Sequence, residues 1–209
     1  MRAAWLSSGT LSSAVISGIG AVNVAVFLAS RRDASVYAGL TPDGAKIDSG
    51  EVWRCATSLV AHRGLAHLAI NNALLVVVTP SAVRRLGGHR FLAVYVVGGT
   101  SANALRYAAG GRHGGGASGA IVAVASAGAV VALLDRGVAM PAAAVASAAI
   151  LAVGLVAAHD LSDNHVLAAG IGAAVATSAA TPRGGWVQAA GAIGAVALAA
   201  MGARTLLGR

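Results

Sequence analysis

Charged and aromatic residues are scarce in this 209-residue chain, at 11% and 4% of its positions. Soluble globular domains carry about 25% charged residues, so this chain has too few charged residues to cover a water-exposed surface. Hydrophobic residues make up 57% of the chain and stand in long blocks rather than in alternation with polar ones. Alanine, valine and glycine dominate those blocks, and small residues let helices approach closely in lipid. The composition excludes an ordinary soluble domain and predicts a helical membrane protein.

Cysteine and acidic residues are also few. Cys55 is the only cysteine, which excludes an intramolecular disulfide and a multi-cysteine metal site. The chain has 7 acidic and 15 basic residues, which gives a formal net charge of +8. The basic residues stand singly or in pairs between apolar blocks, without a long stripe or interleaved aromatics. We interpret them as loops that flank membrane spans, and we expect no nucleic-acid partner.

Membrane spans of about 20 mostly apolar residues are predicted at seven places: residues 11–29, 64–80, 91–105, 116–134, 141–158, 164–180 and 186–201. Backbone exposed to lipid must bond to itself, so these spans are expected to be helices. No segment of 20 to 50 residues repeats along the chain. The predicted fold is an all-α polytopic membrane bundle in one domain, residues 1–209, with 186–201 as an additional C-terminal span after a six-span core.

Basic connectors orient the predicted bundle. Arg84, Arg85 and Arg90 lie between the second and third spans and mark that connector as cytoplasmic. The N-terminus is then cytoplasmic, and residues 31–63 form a long extracytoplasmic first loop. We expect an integral protein of the plasma membrane.

Polar side chains collect near the starts of the second, fourth and sixth spans, which all begin at the outer face in this orientation. They are His62, His67, Asn71, Ser118, Asn164 and His165. Polar groups are costly inside a membrane, so each is a functional hypothesis. Taken singly, each has a plainer interpretation, because a membrane serine often bonds the carbonyl one turn back and a histidine at a span end commonly marks the interface. Their shared position favours a joint role.

Ser118 and His165 are the pair that nucleophilic catalysis requires. A serine hydroxyl is a weak nucleophile and needs an adjacent base, and imidazole is the side chain best suited to that role near neutral pH. Asp163 stands two residues before His165 and points to another face of a helix. We therefore predict a Ser–His dyad without an acidic third member.

Donors for a developing oxyanion are predicted on the second span. His67 and Asn71 are four residues apart and share one helix face, and the backbone N–H of Ser118 adds a third donor. Gly116 and Gly119 stand on either side of that serine, where glycine permits close approach of the backbone.

Together these residues resemble the motifs of rhomboid intramembrane proteases, over about residues 53–172. The matching strings are Glu51-Val52-Trp53-Arg54 in the first loop, His62-x4-His67-x3-Asn71 at the second span, Gly116-Ala117-Ser118-Gly119 at the fourth, and His165 followed by Gly172 in the sixth. Each string is weak alone in a chain with 28 glycines, whereas their combination is specific.

The resemblance implies a six-span rhomboid core, to which a seventh C-terminal span is a known addition in the family. It implies a dyad of Ser118 and His165, with His67 and Asn71 serving the oxyanion hole in a water-filled cavity that opens to the outer face. It also implies that the protein cleaves single-span membrane proteins in contact with lipid, without a metal or cofactor.

Three positions depart from the family pattern. Val83 stands where a glutamate is usual, Val122 where many members carry a tyrosine that stacks on the catalytic histidine, and Ala168 where the sixth span has its first glycine. These changes predict a less firmly oriented imidazole and a slightly wider contact between the fourth and sixth helices. They leave open a non-catalytic rhomboid-like protein that binds client transmembrane helices. A transporter or channel is disfavoured, because the span interiors hold almost no ionisable residues.

Overall fold

The computed structural model describes residues 2–111, 114–139, 165–179, 185, 193–194, 197 and 199–201, with side chains from residue 13 onward. Helices and the turns and loops between them make up these ranges, which hold no β-strand. The all-α class predicted from composition is therefore confirmed. The predicted span at residues 141–158 lies outside the described residues, as do Asp163 and Asn164.

The long helices lie where the apolar segments predicted them. They are α1 (Arg2–Arg32), α5 (Leu65–Leu86), α6 (Gly88–Ala108), α7 (Ser118–Leu134) and α8 (His165–Ala179). The stretch Ser13–Arg32 and helix α5 are long and apolar enough to cross a membrane, and α7 and α8 are shorter apolar helices.

The predicted end of the second span near residue 80 is wrong. Helix α5 continues through Pro80 and both arginines to Leu86, and α6 begins after the single residue Gly87. A proline inside a helix removes one backbone hydrogen bond, which a long helix with packed neighbours tolerates. The helix ends instead where Gly87 adopts a φ of +77°, a conformation that glycine reaches at little cost.

Residues 31–63 are not a plain loop. Helix α1 includes Arg31 and Arg32, and three short helices follow: α2 (Ala34–Leu40), α3 (Gly44–Asp48) and α4 (Arg54–Thr57), with a 3-10 turn at Ser58–Val60. Asp33 and Asp43 cap α2 and α3 by accepting hydrogen bonds from backbone N–H groups, as N-cap carboxylates do. The segment is ordered by its own caps and by contacts with α6.

Helix α7 occupies the centre of the bundle and contacts α5, α6 and α8. Each of these three contacts is close because it includes a glycine, which belongs either to the neighbouring helix or to α7. A Cβ at Gly99 of α6 would lie 2.8 Å from the Cβ of Ala120, one at Gly128 of α7 would lie 2.8 Å from that of Ala82, and one at Gly172 of α8 would lie 2.0 Å from the carbonyl oxygen of Ala123. Packing of small residues thus holds the helices together, as expected in lipid.

The predicted C-terminal segment 186–201 is described only in part. Residues 193–194, 197 and 199–201 are helical. Ala197 and Met201 pack in one buried cluster with residues from α3, α4 and α6: Ile47, Cys55, Ala104 and Tyr107. Ala197 and Met201 therefore pack on the side of α6 that faces α3 and α4.

Candidate active site

Ser118 and His165 lie in direct contact at the starts of two helices. The Nε2 atom of His165 is 2.8 Å from the Oγ atom of Ser118. Ser118 is the first residue of α7 and is half-buried, whereas His165 is the first residue of α8 and is exposed. The pair is thus exposed on one side, while the residues that follow it in α7 and α8 are largely buried.

The contact between α7 and α8 brings the two helix starts together. Beyond the first pair, Gly172 packs on the backbone of Ala123, and Ser126 Oγ donates a hydrogen bond to the carbonyl oxygen of Ala169 at 2.7 Å. The two helices therefore run in the same direction from Ser118 and His165.

Two of the positions that depart from the family pattern lie at this contact. Ala168 is fully buried in it, and Val122 is half-buried against the same core. The third, Val83, is fully buried near the C-terminal end of α5.

Backbone N–H groups without an intrahelical partner lie at the start of α7, beside the serine hydroxyl. The N–H group of Ile121 is the first in α7 to bond within the helix, to the carbonyl of Ala117 at 2.9 Å. The N–H groups of Ser118, Gly119 and Ala120 precede it at the helix N-terminus, where backbone donors have no intrahelical partner. The positive end of the helix dipole therefore lies beside the serine hydroxyl.

The predicted oxyanion residues lie at different distances from this turn. The His67 ring adjoins Gly116, because a Cβ at Gly116 would lie 2.7 Å from Cε1 and 2.9 Å from Nε2 of that ring. Asn71 is buried one turn further along α5, where its Nδ2 donates to the carbonyl of His67 at 2.8 Å. Its Oδ1 is buried and has no hydrogen-bond partner among the described residues.

An open cavity of about 370 Å³ adjoins this site. Its wall combines His67 and the glycines Gly114 and Gly115 before the nucleophile with four residues of the first loop: Tyr37, Thr41, Pro42 and Arg63. Residues 31–63 supply the far wall of this cavity, and its lining includes His67 but neither Ser118 nor His165. No group of three or more potential metal ligands occurs within the described ranges.

The Trp-Arg string stabilises the first loop at a distance from the serine. Arg54 is 3% exposed, pairs with Glu51 at 2.6 Å, and donates to the carbonyls of Ala38 and Thr41 at 2.6 and 2.9 Å. Trp53 is 54% exposed beside it. Arg54 thus joins α2, α4 and the cavity wall.

The sequence left His62 open between a residue at the membrane boundary and a member of the polar group, and the structure shows it buried. Its side chain is 2% exposed, and its ring centroid is 5.3 Å from that of His67. Its spacing from His67 was visible in the sequence, but its burial was not.

The description of the matching family model is Rhomboid domain, and it matches residues 49–163. That range is more than half of the chain. The chain belongs to the rhomboid family. This rhomboid is therefore an integral membrane protein. The matched range includes His62, His67, Asn71 and Ser118 and ends before His165, so the partner of the serine is identified by geometry.

Two relatives match shorter segments. The rhomboid protease GluP of Bacillus subtilis (strain 168) is 38% identical over 90 residues, which cover 43% of this chain and 18% of the relative. RHOMBOID-like protein 9, chloroplastic, of Arabidopsis thaliana is 34% identical over 68 residues, 31% of this chain and 16% of the relative. The aligned segments thus span less than a fifth of either relative. No solved structure matches this chain.

Proposed function

We propose that this rhomboid is an intramembrane serine endopeptidase that cleaves single-span membrane proteins with a Ser–His dyad. The observation that carries the proposal is the 2.8 Å contact between Ser118 Oγ and His165 Nε2 at the starts of α7 and α8. Membership of the rhomboid family supports it, as does the name of the relative GluP.

In the proposed reaction, Ser118 Oγ attacks the scissile carbonyl carbon while its proton passes to His165 Nε2. The carbonyl oxygen becomes an oxyanion, and His165 then gives the proton to the leaving amine as the C–N bond breaks. A water molecule, deprotonated by the same imidazole, hydrolyses the acyl-enzyme and restores the serine. A base within hydrogen-bond reach of the hydroxyl is the first requirement of this sequence.

The oxyanion is proposed to form between the start of α7 and the ring of His67. On one side lie the N–H groups of Ser118, Gly119 and Ala120 and the positive end of the helix dipole. His67 adjoins Gly116 on the other, and Asn71 holds the turn of α5 that carries His67 through its 2.8 Å bond. Donors arranged before the charge develops are effective because they need no reorganisation.

The expected substrate is a membrane helix that unwinds locally. Attack requires an extended peptide at Ser118, and the cavity of about 370 Å³ beside His67 gives room for residues next to the scissile bond. Lipid surrounds the remaining substrate helix, so the enzyme acts at the boundary between lipid and this cavity.

The test uses the full chain purified in detergent or in proteoliposomes with a single-span substrate. Ser118→Ala should lower cleavage at least about 1,000-fold, because it removes the nucleophile. Ser81→Ala is the matched control, since Ser81 is an exposed serine of α5 outside the site. Equal cleavage by wild type and Ser118→Ala would contradict the proposed catalytic dyad.

The alternative is a non-catalytic protein that binds client transmembrane helices, which the departures at Val83 and Val122 motivate. A fluorophosphonate probe that labels wild type but not Ser118→Ala supports the enzyme. Absent labelling of wild type, together with retained capture of a single-span client, would favour the binding protein.

A further inference from the structure

His62 is a buried histidine that takes no part in the proposed reaction. It lies between the 3-10 turn Ser58–Val60 and the start of α5, at 2% exposure. Polar groups buried this fully are normally hydrogen-bonded, since an unmade bond is costly. The partners of its two ring nitrogens therefore indicate what the residue is for.

Both ring nitrogens have a backbone partner. Nδ1 lies 3.2 Å from the carbonyl oxygen of Val60. A carbonyl only accepts, so Nδ1 carries the hydrogen. Nε2 is then an acceptor, and the backbone N–H of Ala117 donates to it at 3.4 Å. Burial lowers the pKa of His62 to about 4, so the ring is neutral at pH 7 and keeps this lone pair.

The Ala117 N–H belongs to the turn that presents the nucleophile. Ala117 is the N-cap of α7, directly before Ser118. The preceding N–H, that of Gly116, donates to the carbonyl of Ser58 at 2.7 Å. Two successive donors of this turn are therefore held from the side of the first loop, one by Ser58 and one by His62.

The same imidazole also supports the proposed oxyanion residue. The His62 and His67 rings pack at 57° to each other with centroids 5.3 Å apart. A Cβ at Gly116 would meet both rings, at 2.7 Å from His67 and 3.7 Å from His62. Hence His62 contacts the turn before Ser118 and the ring of His67 at once.

We infer that His62 is a positioning residue, whose hydrogen bond to Ala117 fixes the turn before Ser118 and so aims the serine hydroxyl and the N–H groups behind it. This inference rests on the proposed function for its catalytic consequence. The hydrogen bond itself can be tested without any activity.

Two substitutions test the roles of the Nδ1 and Nε2 atoms of His62 separately. In His62→Gln, the amide oxygen can reach the place of Nε2 and accept from Ala117. In His62→Asn, the amide reaches only the place of Nδ1, so it can bond Val60 but not Ala117. Both variants should remain folded, and both are compared with wild type and Ser81→Ala in detergent at pH 7.5.

The first measurement is hydrogen–deuterium exchange over residues 114–118. His62→Asn should exchange one further amide rapidly, whereas His62→Gln should exchange like wild type. The second is the rate at which a fluorophosphonate labels Ser118. That rate should fall about tenfold or more in His62→Asn, because small misplacements of a nucleophile cost large factors. His62→Gln should recover most of it. In cleavage assays the loss should appear in kcat with KM unchanged, since His62 does not touch substrate.

Unchanged exchange in a folded His62→Asn would overturn the inference. So would faster exchange with undiminished labelling. If both variants lost labelling equally, the acceptor at Nε2 would not be the cause, and the inference would also fail. If wild type neither labels nor cleaves, the proposed function fails; faster exchange in His62→Asn alone would still support the hydrogen bond to Ala117.

Discussion

Two regions of the molecule hold their backbone in place in opposite ways. One is the polar layer, the group of hydrogen-bonded residues beside Ser118, and the other is the set of packing contacts between α7 and its neighbouring helices. In the polar layer, the position of the turn before Ser118 depends on groups that donate or accept hydrogen bonds: the ring of His62, the carbonyl of Ser58 and the amide of Asn103. Along α7, positions depend on the absence of side chains, because Gly98, Gly99, Gly128 and Gly172 let helices approach within van der Waals distance. The helix contacts set how far apart the starts of α7 and α8 lie, and the polar layer holds the turn before Ser118.

This difference predicts two classes of variant. A change in the helix contact should lower stability and activity together, because it moves the helix that carries one dyad member. A change in the polar layer should lower activity more than stability, because it reorients groups whose helices stay in place. The following variants test that division.

Gly172→Ala is expected to have the largest effect. Its new methyl group would lie 2.0 Å from the carbonyl oxygen of Ala123, and a backbone atom cannot turn away as a side chain can. We expect a loss of about 3 kcal/mol in unfolding free energy, near the upper range for overpacking. Labelling of Ser118 should fall by about 100-fold as α7 and α8 separate. Thermal unfolding in detergent and probe labelling measure the two.

Gly18→Ala is the control for that variant, because no atom lies within 4 Å of a Cβ at Gly18 of α1. It should lower neither quantity, and the higher helix propensity of alanine should raise the unfolding free energy by about 1 kcal/mol or less. A Gly172→Ala protein with the wild-type unfolding temperature and labelling rate would contradict the assigned helix contact.

Acidification should destabilise the polar layer through His62. Burial lowers its pKa from 6.5 to about 4, so the unfolded chain binds more protons between these values and stability falls as pH falls through that window. Above pH 6.5 the ring is neutral in both states and the effect is absent. The loss is at most about 3 kcal/mol.

The unfolding temperature of wild type should therefore fall more between pH 7.5 and pH 5 than that of His62→Gln. Parallel curves for the two proteins would show that His62 is not the group that titrates. Neighbouring His67 is present in both proteins, so its own contribution cancels in the comparison.

Asn103→Ala should cost about 2 kcal/mol, because buried partners are left unpaired. The amide of Asn103 donates to the carbonyl of Cys55 at 3.0 Å and to Ser58 Oγ at 3.1 Å. Since the Ser58 carbonyl holds Gly116, labelling of Ser118 should slow as well. Thr100→Val on the same helix is the control, because its buried hydroxyl has no partner among the described residues. Equal effects of the two variants on labelling would count against the polar layer.

Asn23→Ala should have the smallest effect. Asn23 donates to Asn72 Oδ1 at 3.0 Å and joins α1 to α5 away from the serine. Hydrogen bonds between membrane helices contribute about 1 kcal/mol or less. Unfolding in detergent should detect this loss, while the rate of labelling stays at the wild-type value. A slower labelling rate would extend the polar layer to α1.

The sequence alone predicted the helical membrane class and, to within a few residues, the starts of the long helices that follow α1, because runs of apolar residues must form internally bonded helices in lipid. It also brought Ser118, His165 and His67 together as one group, since each stands near the start of a span that the sequence predicts to run inward. It was wrong at Pro80, where packing against neighbours allows α5 to continue through a residue that ends isolated helices.

Only the tertiary structure decided the supporting contacts. The sequence left the role of His62 open and did not show how residues 31–63 fold, because burial and hydrogen-bond partners depend on segments far apart in the chain. The bond from Ala117 to His62 joins residues 55 positions apart, and the contact between Ser118 and His165 joins residues 47 positions apart. Helix periodicity links neighbours three or four residues apart, so local pattern could predict which residues share a helix face, whereas packing of small residues across α7 fixed which faces meet.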